Sequence, residues 1–428
     1  MKRTITILAI LFSGMVSMGQ QEDYYQENYF RYSNHIYDTN IHSLQLHRVG
    51  EPLSHPVIDM GNRKKMLRLS FDDFRNNVVD YQYQFIHCNA DWKPSELLPS
   101  DYLTGFDDDY IEEYEFSYNT RQPYIHYSLA FPQEDMMPVI SGNYLLKVYP
   151  EGQPEDIILT ARFMIADEKV AISANVKQAT APTKMEEWQE VDFTINTKSF
   201  YVANPSKNLK VVVQQNNRED NKISGLKPRS IDGNKLLYDY EDQNLFRGGN
   251  EFRYFDIQNF KYQSDQVRRI DIFNQLNKVI LYADKQRTFS PYVFYDDING
   301  RRLIRTTEYE NTAIEADYAE VQFLLPMDAP LVTGGIYIMG ELTQWEFNKK
   351  SRMTYNYNSK AYETTLYLKQ GYYNYMYAFL ENGKEQANVR LLENSFSETS
   401  NQYTIYVYYR KPGTYQDQLI GMETFTRK

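Results

Sequence analysis

From Val79 to Phe85 the chain reads Val-Asp-Tyr-Gln-Tyr-Gln-Phe, with apolar and polar residues alternating almost without a break. Only an extended strand places every second side chain on one face, so this run predicts a half-buried β-strand. The texture returns at Tyr362 to Leu368, at Tyr372 to Phe379 and in part at Tyr403 to Tyr409. Gln370-Gly371 turns between the first two of these runs, and Asn382-Gly383, a dipeptide that supplies positive φ for a hairpin, follows the second. Tyr (39) and Phe (23) are abundant, and aromatic side chains favour pleated, half-buried surfaces. Helical periodicity is scarce. Asp265 to Leu276 fits a helix, but its Val267, Ile270, Ile272 and Phe273 fit a strand nearly as well. Many short strands with turn signals every ~8–12 residues predict an all-β chain of tandem, immunoglobulin-like β-sandwich domains.

The front end predicts export. Lys2 and Arg3, the apolar run Ile5 to Val16 and the small residues of Ser17-Met18-Gly19 form a cleavable secretory leader over residues 1–19. The apolar run is too short to span a bilayer stably, and no later stretch approaches the roughly 18 apolar residues of a membrane helix. The single cysteine, Cys88, lies far from the leader, so a lipid anchor there and an intrachain disulfide are both excluded. The expectation is an exported chain, soluble once exported, held to a membrane only through a partner and stabilised by core burial alone.

After the leader, the length predicts two to four domains. Charge at Ala166-Asp167-Glu168-Lys169 breaks the pattern after the strand-like run Ile157 to Ile165, and a second break lies near Glu308 to Ala316. These breaks divide the chain into units at 20–166, 167–312 and 313–428, with residues 20–30 as a flexible lead. The first unit carries 23 acidic against 11 basic residues, a net of −12, while the other two are near neutral at +1 and −2. Asp107-Asp108-Asp109 with Glu112, Glu113 and Glu115 is its densest acidic block. Such a block is a solvated face, an acidic docking surface or a weak cation site. No unit has the basic excess that phosphate contacts need, which argues against nucleic-acid binding.

The candidates for chemistry are few. All six histidines (His35, His42, His47, His55, His87 and His126) lie in the first unit, so a His-based triad in the later units is excluded. His87 and Cys88 invite a thiol–imidazole reading, but strand neighbours point to opposite faces. His42, His47 and His55 lack the spacing of a zinc motif, and no cysteine pair supports them. Asp72 and Asp73 could suggest a glycosidase pair, yet such carboxylates must face each other across a substrate. Turn or edge positions explain them better. No catalytic, cofactor or metal residue is therefore assigned. In Phe246-Arg247-Gly248-Gly249-Asn250-Glu251-Phe252-Arg253 the glycines lack phosphate-loop spacing and predict a bulge or tight turn entering a strand, with Arg253 paired to a carboxylate the sequence does not name.

Two resemblances follow. Gly335-Ile336-Tyr337-Ile338-Met339-Gly340, then Trp345, then Gly371-Tyr372-Tyr373-Asn374-Tyr375 resembles the early-set sandwich of starch-active enzymes and glycogen-binding modules. A sugar platform needs two or more exposed aromatics spaced to stack on rings, and beside Trp345 a second stacking tryptophan is missing, so this argues fold rather than function. The other resemblance covers nearly the whole mature chain. Leu69-Ser70-Phe71-Asp72-Asp73, Tyr81 through His87-Cys88-Asn89-Ala90-Asp91-Trp92, Tyr102-Leu103-Thr104-Gly105-Phe106 and Ser141-Gly142-Asn143-Tyr144 resemble the first domain of the type IX secretion system plug proteins of Bacteroidota. The Gly248 to Arg253 string is similar to the same family's middle region. The resemblance implies a non-enzymatic, cofactor-free subunit. Its partner would be the giant outer-membrane translocon β-barrel, whose periplasmic mouth it closes when cargo is absent. The acidic first unit is the expected docking face. An envelope carbohydrate-binding protein is the alternative, and a glycosidase on Asp72 and Asp73 a distant third.

Overall fold

The alternating run that opened the sequence becomes the strand Tyr81–Cys88, with Tyr81, Tyr83 and Phe85 buried and Gln82 and Gln84 half-buried on the other face. The computed structural model describes residues 29–62, 65–273 and 275–427. The leader read over residues 1–19, and residues 20–28 of the lead, lie outside the described residues. Strands take 45% of the chain and helices 5%, so the all-β expectation holds. No helix among the described residues is long and apolar enough to cross a membrane. Asp265 to Leu276 resolves as strand: Val267–Ile272 pairs antiparallel with Asn277–Leu281.

Three large hydrophobic cores, with a smaller cluster around Phe252, Met339 and Met376, organise the described residues from 32 to 427. In the first, a sheet ordered His35–Ile36, Leu159–Ala166, Gly142–Pro150, Tyr81–Cys88, Asp108–Tyr110 faces a sheet ordered Ile41–Arg48, Leu67–Asp73, Ile125–Phe131, Glu113–Phe116. Phe71, Tyr81, Tyr83, Tyr127 and Phe163 fill the space between them. Phe71 stacks on Tyr127 at 5.2 Å, and Tyr81 meets Tyr127 edge-on at 5.0 Å. Such pairs add about 0.5–1.5 kcal/mol each beyond area burial.

The second and third cores are nested in sequence. The second lies between a sheet built on Trp188–Asn196 and one in which Gln402–Tyr409 pairs with Leu209–Gln215 on one side and Gln418–Thr426 on the other. The third lies between the sheet of Val267–Ile272, Asn277–Leu281, Tyr318–Pro326 and Ala361–Lys369 and the long strand Gly371–Glu381 with its neighbours. The chain therefore leaves the second sandwich after Leu245–Arg247, builds the whole third sandwich, and returns to finish the second.

The sequence breaks divide differently. Glu308 to Ala316 lies inside the third sandwich, where Thr312–Glu315 is one helical turn, and strands on both sides of it share a sheet. Asn277–Leu281 pairs with Tyr318–Pro326, and Leu209 pairs with Tyr409. A charged stretch marks a loop, but the core a strand joins is set by pairing across long separations that local composition does not encode.

The outgoing and returning segments explain the glycines. Phe396 N–H donates to Gly249 O at 2.8 Å, and Asn401 Nδ2 donates to Gly248 O at 2.7 Å. A Cβ on Gly248 would collide with the Phe396 carbonyl, and Gly249 sits at φ +64°, where glycine carries no Cβ penalty. The two glycines let the crossing strands of chain touch backbone to backbone.

Candidate functional site

His87 and Cys88 are both buried, on opposite faces of their strand. His87 Nδ1 lies 2.9 Å from the Ser95 hydroxyl, and the Cys88 thiol bonds Ile86 O at 3.6 Å, so they do not form a pair. Burial pushes the Cys88 thiol up to about 12 and the His87 imidazole down to about 4. A thiolate nucleophile therefore has no support at neutral pH. Cys88→Ser should leave function intact and shift the thermal midpoint only by what about 1–2 kcal/mol of packing loss produces. Loss of an activity with unchanged melting would refute this reading.

Asp72 and Asp73 are neither turn nor edge carboxylates. Leu67–Asp73 is an inner strand, and both side chains are fully buried. Asp73 accepts from Tyr81 OH at 2.7 Å and from Arg75 N at 3.0 Å. Asp72 faces the third sandwich. Its Oδ2 accepts from Lys369 Nζ at 2.6 Å and Tyr318 OH at 2.5 Å, while Oδ1 lies 2.6 Å from His126 Nδ1. Burial alone would raise the Asp72 carboxyl, but the Lys369 ammonium and His126 outweigh it and hold it below the usual carboxylate range. Sequence reasoning missed this cluster because its cation is 297 residues away.

The other histidines do not converge. His42 stacks on Phe74 at 3.9 Å, His47 Nδ1 lies 2.8 Å from Arg48 O, and His35 Nδ1 lies 2.6 Å from Glu346. Among the described residues the acidic trio close enough to hold a cation is Glu190, Asp192 and Asp239. Lys177 Nζ already lies 3.2 Å from Glu190 and 2.6 Å from Asp192, so an ammonium fills the role of the ion.

Arg253 finds its partners in the third sandwich. It bonds Glu393 through Nε at 2.9 Å and Asp284 through Nη1 at 2.7 Å. Arg287 Nε adds a 2.6 Å bond to Glu393, and Tyr377 N donates to it at 2.9 Å. Burial raises the Glu393 carboxyl, yet the two guanidiniums outweigh it and bring it down to about 2. Near this seam a cavity of about 260 Å³ is lined by Trp188, Phe246, Phe252, Arg218, Arg247 and Arg390. Its arginines are matched: Arg218 by Asp220 at 2.7 Å, and Arg247 and Arg390 by Glu187 at 2.6 and 2.5 Å.

Trp345 is half-buried and packs against the cluster of Phe252, Met339 and Met376, edge-on to Phe252 at 6.1 Å. Its ring also closes over Gly300, where a Cβ would overlap it. Trp345→Ala should lower stability by about 3–5 kcal/mol through the cavity it leaves, with no soluble-glycan affinity lost. A glycan-array signal abolished by this change at unchanged melting would favour the carbohydrate reading instead.

What the buried polar groups do is join the sandwiches. The His-Cys-Asn-Ala-Asp-Trp string supplies one joint: Asp417 accepts from Ala90 N at 3.1 Å, Lys210 Nζ at 2.8 Å and Arg410 Nε at 2.8 Å. Trp92 in the same string carries the Arg162 guanidinium on its face at 4.3 Å, and Arg162 reaches Glu219 at 3.0 Å. Where all three cores meet, Arg301 donates to Leu53 O of the first sandwich and Gln402 of the second. His55 lies there too, and burial, helped by Arg301, lowers it to about 3. Charged and amide side chains held this way fix the register between the sandwiches.

The expected acidic face is real surface. Asp107 to Tyr110 and Glu112 to Phe116 line one open side of the first sandwich, and these carboxylates have no ion pair among the described residues. No curated protein matches the chain. The chain is similar to a hypothetical protein from Parabacteroides merdae ATCC 43184, known from a crystal structure. The two are 36% identical, with 93% of this chain and 100% of that one covered and a TM-score of 0.90. Residues 41–167, which span the strands of the first sandwich from Ile41 onward, match the family of the type 9 secretion system plug protein 1st domain. On that match residues 41–167, the first sandwich, belong to the type IX secretion system plug protein first-domain family.

Proposed function

We propose that the chain is a non-catalytic plug that sits in the periplasm and closes the inner opening of the type IX outer-membrane translocon barrel when no cargo is passing. The observation that carries this reading is the family match over residues 41–167. Closing a wide pore requires bulk and rigidity rather than a reacting group. Rigidity has a physical source here: three cores cross-linked by buried hydrogen-bonded charges such as Asp72–Lys369 and Asp417–Arg410. No cofactor enters this role.

The test uses the intact chain, because deleting the first sandwich would leave Lys369 without Asp72 and Arg301 without the Leu53 carbonyl. Tagged full-length chain captured from a Bacteroidota envelope should bring down a giant outer-membrane barrel, and capture should weaken as salt rises, because an acidic docking face is screened. Cells lacking the chain should become permeable to small hydrophilic solutes. Capture without any large barrel, together with an unchanged permeability, would overturn the proposal.

A further inference from the structure

The open side of the first sandwich is closed by one continuous ribbon of chain. Asp108–Tyr110 is an edge strand of one sheet, and Glu113–Phe116 is an edge strand of the other. Between them only Ile111 turns inward, into the core. The opposite edge of the second sheet, Ile41–Arg48, is covered by the third sandwich, where Tyr318 OH bonds Ser43 at 2.7 Å and Arg302 bonds Leu44 O. Glu113–Phe116 has no such cover: all four of its residues are exposed.

The ladder phase shows which main-chain groups are turned outward. Ser117 N donates to Tyr124 O at 2.9 Å. Antiparallel pairing alternates, so the N–H and C=O groups of Tyr114 and Phe116 face away from the sheet. Phe106 (65% exposed), Phe116 (58%) and Tyr118 (64%) stand along the same ribbon. Folded proteins blunt open edges with short strands, charged side chains (Lys above all), Pro or a bulge. No Lys or Arg occurs between Lys93 and Arg121, and no Pro occurs between Pro99 and Pro123. Asp107, Asp108, Asp109, Glu112, Glu113 and Glu115 are the charges here. They repel a second copy of the same edge and attract a cationic one.

We infer that Glu113–Phe116 is a docking edge for an extended basic segment of a partner protein, which adds as a further strand, its cationic side chains matched to the glutamates and its apolar ones to the aromatics. This mode draws affinity from main-chain bonds and selectivity from alternate side chains. It deepens the plug reading by naming the surface that meets the barrel and rests on that reading for the identity of the partner alone.

The probe is a labelled ten-residue peptide alternating Lys and Val, titrated onto the full mature chain, with a Glu–Val peptide of equal length as control. The Lys–Val peptide should bind at least about tenfold more tightly than the control. Glu112→Lys/Glu113→Lys/Glu115→Lys should weaken it by about tenfold or more, whereas Glu241→Lys/Asp242→Lys/Glu385→Lys, with the same change in net charge, should move it by less than about twofold. Phe116→Pro removes an outward N–H without taking a ladder bond, and it should weaken binding more than Phe116→Ala. Melting curves of each variant establish that the fold is intact. Equal loss in both charge-reversal variants, or equal binding by Phe116→Pro and Phe116→Ala, would overturn the inference. Self-association of the wild type abolished by Phe116→Pro would give the edge to a second copy and overturn it as well. The titration contains no barrel, so its failure leaves envelope capture to decide the plug role separately.

Discussion

Replacing Lys369 with Met should cost about 3–5 kcal/mol of folding stability, read as a lower urea midpoint at unchanged slope. The expected size comes from what the substitution leaves behind. Asp72 is fully buried, and its Oδ2 would lose a 2.6 Å bond to the ammonium while remaining sealed between the first and third sandwiches. Tyr318 and His126 would still bond it, but neither is a permanent cation. Lys369 also rests over the Tyr124 ring at 4.2 Å and donates to Ala313 O at 2.8 Å, so its removal loosens packing as well as charge. The double variant Asp72→Asn/Lys369→Met removes both charges and keeps a group that can bond Tyr318. It should be more stable than the sum of the single losses by more than about 1 kcal/mol. Strict additivity would mean that the pair contributes no coupling, and the account of the joint given above would fail.

Glu393→Gln should be comparably severe, and its effect should depend on pH in a defined direction. In the native protein Arg253 and Arg287 are balanced by Glu393 and Asp284, and Tyr375 OH and Tyr377 OH each bond Asp284 at 2.6 Å. Neutralising Glu393 leaves an unmatched guanidinium charge in a closed site. Despite burial, its two arginines hold the folded carboxyl down at about 2, against 4.5 for an unperturbed glutamate, so folding is stabilised by its ionised form. That stabilisation is fully present above pH 4.5 and is lost as pH falls toward 2, amounting to about 3 kcal/mol. The stability gap between wild type and Glu393→Gln should therefore be widest near neutral pH and narrow steadily below pH 4.5. A gap independent of pH down to 2 would show that Glu393 is not held ionised by its arginines.

The strands were legible in the sequence because their signal is local. A period of two residues places Tyr81, Tyr83 and Phe85 on one face whatever lies elsewhere in the chain, and the aromatic runs from Tyr362 to Phe379 became the strands Ala361–Lys369 and Gly371–Glu381, in facing sheets of the third sandwich, for the same reason. The backbone freedom needed at Gly248-Gly249 and the placement of His87 and Cys88 on opposite faces of their strand were likewise readable, since each follows from a missing Cβ or from side-chain alternation. The long strings around His87 to Trp92 carried the family, and their role as a joint with Asp417 emerged only when the second sandwich was placed beside them. Tertiary structure alone decided that Gln402–Tyr409 completes a sheet begun at Leu209, that Asp72 is buried against a lysine 297 residues on, and that Arg253 pairs with Glu393. Burial of a charge is tolerable only beside its partner. Which partner that is depends on how non-local strands pair, and a pattern confined to one segment of chain carries no record of that choice.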